Sequence, residues 1–339
     1  MDRPRLFIMG LGHVGRALLG LLSEADAPPC RIVGLADSSC TMVIPDGLPI
    51  ADVPGIAEAK RLGRGLSTVD ALRGASRLAP GRPDDAFEAA RPDLVVDLTP
   101  TDTATGGAAL VNALAAFRAG ADVVFAGKGA LAAAWDRVMD AAGRRVRFSA
   151  TVGAGLPVID AGRAFAASNP VDSIEALVNG TSVYVLTLME GGLCLEAAVA
   201  EAQARGYAEA DPSADLDGLD AAAKLCILSR AVMDLPLSMD RVERQSVRSV
   251  SLDAIERAMA DGARLRAVGR IVREGNEARA CVRIEAVPAT SILARSGTDN
   301  AVVFHSRRAG DLALVGRGAG PVETALAVLR DVVTVRKYQ

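Results

Sequence analysis

Residues 5–37 read RLFIMGLGHVGRALLGLLSEADAPPCRIVGLAD, and this stretch decides the fold. RLFIMG is a short apolar run, expected as a buried strand. GHVGRALLGLLSEAD follows as a helix, and RIVGLAD as a second strand. Gly10, Gly12 and Gly15 fit the pattern G-x-G-x-x-G. The first glycine permits the tight turn, the second lets backbone approach a pyrophosphate, and the third lets the helix pack on the strand. The start of the helix offers unpaired N–H groups and the positive end of its dipole to phosphates. Asp37 closes the second strand about 22 residues past Gly15, the spacing of an acid that bonds the adenosine ribose. The expected ligand is therefore a dinucleotide, with NAD favoured and NADP the second choice. Ser38 and Ser39 stand where an arginine would suit a 2′-phosphate better. His13 and Val14 belong to the phosphate loop, and His13 is read as a loop residue and not a catalyst.

Working outward, LVVDLTP (94–100), DVVFAGK (122–128) and VRFSAT (146–151) read as further buried strands, with helices ALVNALAAFRAG and ALAAAWDRVMDAAG between them. Residues 55–90 read as helical and polar in parts. Short apolar strands alternating with helices predict an α/β fold, a Rossmann-type doubly wound parallel sheet. Ligands in such sheets sit at the carboxyl ends of the strands. That places Gly10–Gly15, Asp37, Thr99, Pro100 and Lys128 along one rim. The second half reads differently. SIEALVNG is a strand and helices run to about residue 233. RLRAVGRIVRE with EARACVRIEAV, and AVVFHSR with LALVG, read as antiparallel pairs. The expectation is a dinucleotide-binding domain over 1–151, completed by a C-terminal helix within 316–339, and an α+β domain over 152–315 with a mainly antiparallel sheet. TVGAGLP (151–157) is the expected crossover.

Composition narrows the function classes. The chain has 339 residues, half of them apolar, and a net charge of −3. No basic block marks a nucleic-acid partner, and no run approaches a membrane span. Five scattered cysteines without a CxxC pair suit reduced thiols in a cytoplasmic protein. Two histidines are too few for a histidine-rich metal site.

Chemistry is carried by residues 206–228, GYAEADPSADLDGLDAAAKLCIL. Glu209, Asp211, Asp215, Asp217 and Asp220 precede a single lysine, Lys224. Asp220 and Lys224 are four residues apart, one helical turn, within salt-bridge reach. Alone, such a pair is an ordinary ion pair worth a few tenths of a kcal/mol. In a chain that also carries a nucleotide fingerprint, it is a candidate for proton transfer.

Together these motifs resemble homoserine dehydrogenase over nearly the whole chain. The likeness rests on GLGHVG (10–15), GLADSS (34–39), VVDLTPTD (95–102), VVFAGKGALA (123–132), TVGAGLPVI (151–159), LVNGTSVYVLTLM (177–189), the 206–228 segment and NAVVFHSRRAGDLALVGRGAG (300–320). The resemblance implies NAD(P)-dependent interconversion of L-homoserine and L-aspartate 4-semialdehyde, in amino-acid biosynthesis toward threonine and methionine. It implies a short form without a regulatory ACT module, acting as a homodimer on a small amino-acid substrate. By the same resemblance, Lys224, Asp220 and Lys128 are catalytic. Glu209, Asp215, Thr181, Tyr207 and Gly180 hold the substrate. Gly318, Ala319 and Gly320 form a turn at the nucleotide, beside Thr99, Pro100 and Lys128. Ser149, Val152, Ala154 and Leu156 supply oxygens to a monovalent cation, Na⁺ or K⁺.

Four features depart from the family pattern. Gly127 replaces an asparagine before Lys128, Val183 replaces an amide in the NGT run, Ser149 replaces a glutamate, and Pro321-Val-Glu323 replaces Pro-Thr-Ala. Two other functions therefore stay open: a paralogous dehydrogenase for a related hydroxy or oxo amino acid, and a catalytically silent NAD-binding regulatory protein.

Overall fold

The structure is a computed structural model and describes residues 3–143 and 145–337. The chain divides into two compact units, one of residues 1–151 with 321–339 and one of residues 152–320.

The first unit begins with β1 (Arg5–Met9), α1 (His13–Leu22), β2 (Arg31–Ala36), β3 (Thr41–Val43), α2 (Val53–Arg61), β4 (Ser76–Leu78) and α3 (Pro83–Ala90). It continues with β5 (Leu94–Asp97), α4 (Gly107–Arg118), β6 (Asp122–Phe125), α5 (Gly129–Ala142) and β7 (Val146–Arg147). The seven strands lie in the order β4-β3-β2-β1-β5-β6-β7. The run from β2 to β7 is parallel, whereas β3 and β4 extend it antiparallel. All of β5 and β6 is buried, as strands covered on both faces must be. Leu6, Ile8, Leu18, Leu19, Ile32, Val96 and Val328 share one core.

Three local expectations change. β3 and β4 are three-residue strands within or just before the stretch read as helical, too short to show a period. VRFSAT is strand only at Val146–Arg147, and Ser149–Thr151 turns as a 3-10 helix. The terminal helix begins at Pro321, because Gly316 and Arg317 finish a strand. Proline suits that first turn, where its missing N–H is not needed. The last residues of the 316–339 expectation, 338 and 339, and residues 1 and 2 of the first domain lie outside the described residues.

The second unit contains α6 (Val158–Ala166), β8 (Ser173–Leu177), α7 (Gly180–Glu190), α8 (Leu195–Ala204), α9 (Ser213–Leu216), α10 (Leu219–Leu228), β9 (Val242–Arg244) and α11 (Leu252–Ala260). Four long strands follow: β10 (Ala263–Glu274), β11 (Glu277–Pro288), β12 (Asp299–Ser306) and β13 (Gly310–Arg317). The sheet runs β13-β12-β8-β10-β11-β9 and is antiparallel except where β9 joins β11. The chain then returns to the first unit as α12 (Pro321–Lys337), which packs on α1 and on the 3-10 turn at 149–151. Buried Asp331 fixes this contact by accepting from the Ser149 backbone N–H and hydroxyl, each at 2.7 Å.

The expected α/β class with a second, mainly antiparallel domain sheet is what the chain adopts.

Candidate functional site

In the first unit the rim is made mostly of backbone. Gly10 has φ +97°, and a Cβ there would lie 2.6 Å from the Leu98 carbonyl oxygen. A Cβ on Gly15 would lie 2.3 Å from the Gly10 carbonyl oxygen. Neither position tolerates a side chain. Gly12 differs, since nothing lies within 4 Å of its virtual Cβ. Open space at the second glycine, above a helix start with no side-chain cap and no acid in its first turn, is what an approaching pyrophosphate requires. The residues present fit a dinucleotide. His13 opens α1 and is exposed, and Val14 follows it half-buried.

The neighbouring loops are held just as closely. Asp97 is fully buried at the end of β5 and accepts from the Thr99 N–H and hydroxyl and from the Asn112 amide at 2.8 Å. Burial pushes its carboxyl up, and the Thr99 and Asn112 donors oppose this. Thr99 is thus fixed beside exposed Pro100. The backbone N–H of Lys128 donates to the Thr101 hydroxyl at 3.3 Å, tying the loop after β6 to the loop after β5. A Cβ on Gly127 would meet the Thr99 carbonyl oxygen at 3.1 Å. An asparagine there would need this loop to give by a few tenths of an ångström.

Asp37 does not stand free for a ribose. One carboxylate oxygen accepts from the Ser39 N–H and hydroxyl and the Cys40 N–H. The other accepts from Lys60 Nζ at 2.6 Å and the Leu66 N–H. Burial would raise its pKa, but the Lys60 and Ser39 contacts prevail and hold it down at about 2. The sequence reading missed Lys60. It lies 23 residues from Asp37 on α2, and no local spacing links the two.

The second unit gathers side chains. Lys224 Nζ lies 2.6 Å from Asp220 Oδ2 and donates to the Val178 carbonyl at 2.5 Å. Both side chains are largely buried, at 11% and 16% exposed, so this is not a solvated surface pair. Asn179 donates to Asp215 at 2.6 Å and to Asp220 at 2.8 Å. Its side-chain oxygen caps α7 by accepting from the Ser182 N–H. Burial raises the Asp215 carboxyl and the Asp220 charge adds to the rise, while Asn179, Lys224 and Thr181 pull the other way. The Thr181 hydroxyl donates to the Tyr207 carbonyl, and the Tyr207 ring leans on Tyr184 with centroids 4.7 Å apart.

The structure therefore brings together Asp215, Asp220, Lys224, Thr181 and the backbone of Tyr207. Glu209 is exposed beyond the cluster, its backbone carbonyl taking a bond from Gln203. The glycine turn packs nearby. A Cβ on Gly180 would meet Ala319 Cβ at 2.9 Å, and one on Gly318 would fall 1.7 Å from Asn300 Cγ. Gly320 has φ +134°. Val183 is wholly buried in a core with Leu177, Val268 and Leu293, so its exchange for an amide alters core packing and leaves the polar cluster untouched.

The residues expected at a cation are ordered but polar only through backbone and one hydroxyl. Ser149 belongs to the first unit and gives its hydroxyl to Asp331. Val152, Ala154 (φ +47°) and Leu156 belong to the second unit, where the Leu156 carbonyl already accepts from the Val158 N–H. No group of three or more metal-ligating side chains occurs among the described residues. Nor is any described helix long and apolar enough to cross a membrane.

Comparison with known proteins supplies the family. Residues 157–333 match the homoserine dehydrogenase family model, and residues 10–148 match the model of the homoserine dehydrogenase NAD-binding domain. A homoserine dehydrogenase of Methanocaldococcus jannaschii is 30% identical over 97% of this chain and 98% of its own length. An NAD(+)-dependent homoserine dehydrogenase of Pseudomonas canavaninivorans is 32% identical over 99% of this chain and 97% of its own. Among solved structures, a hyperthermophilic archaeal homoserine dehydrogenase in complex with NADPH superposes with a TM-score of 0.83 at 26% identity, covering 100% of this chain and 99% of that one. The enzyme of Thermoplasma acidophilum gives 0.82 at 27% identity, covering 99% and 100%. The chain belongs to the homoserine dehydrogenase family of NAD(P)-dependent oxidoreductases.

Proposed function

We propose that the protein interconverts L-homoserine and L-aspartate 4-semialdehyde with NAD(P). The observation that carries this reading is the Asp220–Lys224 pair, withdrawn from solvent and bonded at 2.6 Å. Bound NAD(P) supplies the hydride acceptor or donor. The protein must then move one proton at the substrate oxygen. A lysine ammonium has three N–H donors. Asp220 and the Val178 carbonyl engage two of them, which leaves one for the substrate oxygen. In reduction Lys224 donates to the oxygen as it gains charge. In oxidation it starts as the neutral amine and accepts the hydroxyl proton, directly or through water, to become the ammonium. Asp220 orients the amine throughout. Lys128 is assigned a second positive charge toward the developing alkoxide. Asp215 and Glu209 are assigned to the substrate ammonium, and Thr181, Gly180 and Tyr207 to the pocket wall.

NAD is proposed as the preferred cofactor because Asp37 directly follows β2, where a ribose-binding acid belongs. Its Lys60 partner tempers that preference and leaves NADP usable. Gly10, Gly12, Gly15, Thr99, Pro100, Gly318 and Gly320 are assigned to the nucleotide. The backbone oxygens of Ser149, Val152, Ala154 and Leu156 are assigned to a monovalent cation. A cytoplasmic homodimer is proposed, formed by the sheet of the second unit. Exposed Val272 and Val315 on that sheet support it.

The purified protein, given L-homoserine and NAD⁺ or NADP⁺ at alkaline pH, should produce reduced nicotinamide absorbance. Nucleotide binding without such turnover would favour the substrate-shifted paralogue, a reading that Gly127 supports, or the silent regulatory protein.

A further inference from the structure

The two carboxylates of the polar cluster present a physical problem. Asp215 and Asp220 lie close enough for the charge of one to raise the other. Like charges in a half-buried site repel unless a donor is shared between them. A cation between them eases this, and the Lys224 charge does lower the Asp215 carboxyl, but its 2.6 Å ion pair is with Asp220. The shared donor is the neutral amide of Asn179. Its two hydrogens are divided, one to Asp215 at 2.6 Å and one to Asp220 at 2.8 Å. The bond to Asp220 falls on Oδ2, the same oxygen that meets Lys224. Lys224 also donates to the carbonyl of Val178, the residue just before Asn179. Lysine, aspartate, amide and backbone thus close into a ring. The amide cannot rotate out of it, because its oxygen is committed to the Ser182 N–H at the start of α7.

We infer that Asn179 is a positioning residue of the reaction, its amide holding Asp215 and Asp220 side by side so that Asp220 serves Lys224 while Asp215 serves the substrate ammonium. This rests on the assignment of homoserine chemistry made above. Asparagine suits the task better than any other side chain of its size. Serine has one hydrogen, and aspartate has none when ionised and would add a third negative charge. The start of α7 also turns its positive dipole end toward the acids. Asp220 and Lys224 are the charged groups that face Asp215, with the Thr181 hydroxyl beside them. Asp217, at the end of α9, is turned instead to Ser246 and Arg248.

The test separates capping from bridging. In Asn179→Ser the hydroxyl can still cap α7, since serine is among the best caps, but one short donor cannot span two carboxylates. The expected result is a protein that melts near wild type with an unchanged KM for NAD⁺. Its kcat should fall about ten- to hundredfold, the size of one hydrogen bond to a charged group. The acid limb of its rate profile should move to higher pH, because both carboxylates have lost a donor. Asn179→Ala, which also removes the cap, should melt lower and show the same limb. Titration of the Asp215 carboxyl by carbon NMR reads the bridge without any substrate, and its midpoint should rise in both variants. An unmoved carboxyl midpoint and acid limb in Asn179→Ser overturns the inference, even if the rate falls. A wild-type protein inert toward homoserine would count against the assigned substrate, while the carboxyl titration would still decide the bridge.

Discussion

The nucleotide rim and the acid–lysine cluster are built by opposite means. At the rim, backbone does the work. Side chains are absent at Gly10 and Gly15 because Cβ atoms would strike carbonyl oxygens. Of the acids there, Asp37 is fully satisfied by its own neighbours and strongly acidic, while Asp97 is raised by burial but bonded to Thr99 and Asn112. In the cluster, side chains do the work, and Asp215 is held against its preference, its carboxyl raised by burial and by Asp220. The rim offers backbone in a fixed shape. The cluster holds a carboxylate raised by its surroundings, and perturbed carboxylates concentrate at functional sites.

That contrast can be broken at its steric extreme first. Gly15→Ala puts a methyl 2.3 Å from the Gly10 carbonyl oxygen, so the turn must open. About 1–3 kcal/mol of stability should go, as in other overpacked sites, together with cofactor affinity. Gly12→Ala meets no protein atom within 4 Å and should melt like wild type. It should nevertheless bind NAD⁺ more weakly, because its methyl occupies the pyrophosphate's space. Thermal melts with calorimetric titration distinguish the two. Equal melting temperatures for both variants would refute the account of the loop.

The carboxylates provide a test of opposite signs. Asp37 is lowered from 3.8 to about 2, so its contribution to stability is complete above pH 3.8 and is lost as pH falls through about 2. Asp37→Asn should lower stability at neutral pH and flatten the acid limb in that window. Asp215 is raised, so the folded state pays for its ionisation at neutral pH and is relieved as pH falls. Asp215→Asn should therefore stabilise the protein at neutral pH while impairing the KM for homoserine. Denaturant melts across pH check both, and a shared sign would contradict the contrast.

A smaller effect concerns cofactor choice. Lys60→Met leaves Asp37 without its cation at 2.6 Å. The KM for NADP⁺ should rise about tenfold, the worth of one charge-assisted hydrogen bond, with that for NAD⁺ little changed. Equal shifts in both would mean that Lys60 only supports the fold.

The two regions also differ in how much of them the sequence reveals. The rim is local, because the strand, three glycines and helix are contiguous and their periods are legible. The Asp220–Lys224 pair is local too, one helical turn apart, and its spacing marks it. The partners that complete each site are remote. Asn179 reaches acids 36 and 41 residues away, and Lys60 reaches back 23 residues. Only the packing of β8, α9 and α10, or of α2 beside β2, creates those contacts. Asn179 falls within SIEALVNG, read as strand, and nothing in the sequence says that its side chain caps α7 and bridges two acids. The short strands β3 and β4 escape for another reason, since three residues cannot display an alternation. The Val183 departure misleads in the other direction. It looks chemical in the sequence and is core packing in the structure.

The central claim is that proton transfer belongs to Lys224 while cofactor binding belongs to the glycine rim. Lys224→Met tests it most directly, with steady-state turnover of L-homoserine and the calorimetric Kd of NAD⁺ measured on the same preparation. The account predicts that kcat falls by about 10²–10⁴, the range of a lost general acid–base group, while the Kd for NAD⁺ stays at the wild-type value. Near-normal turnover in that variant would contradict it.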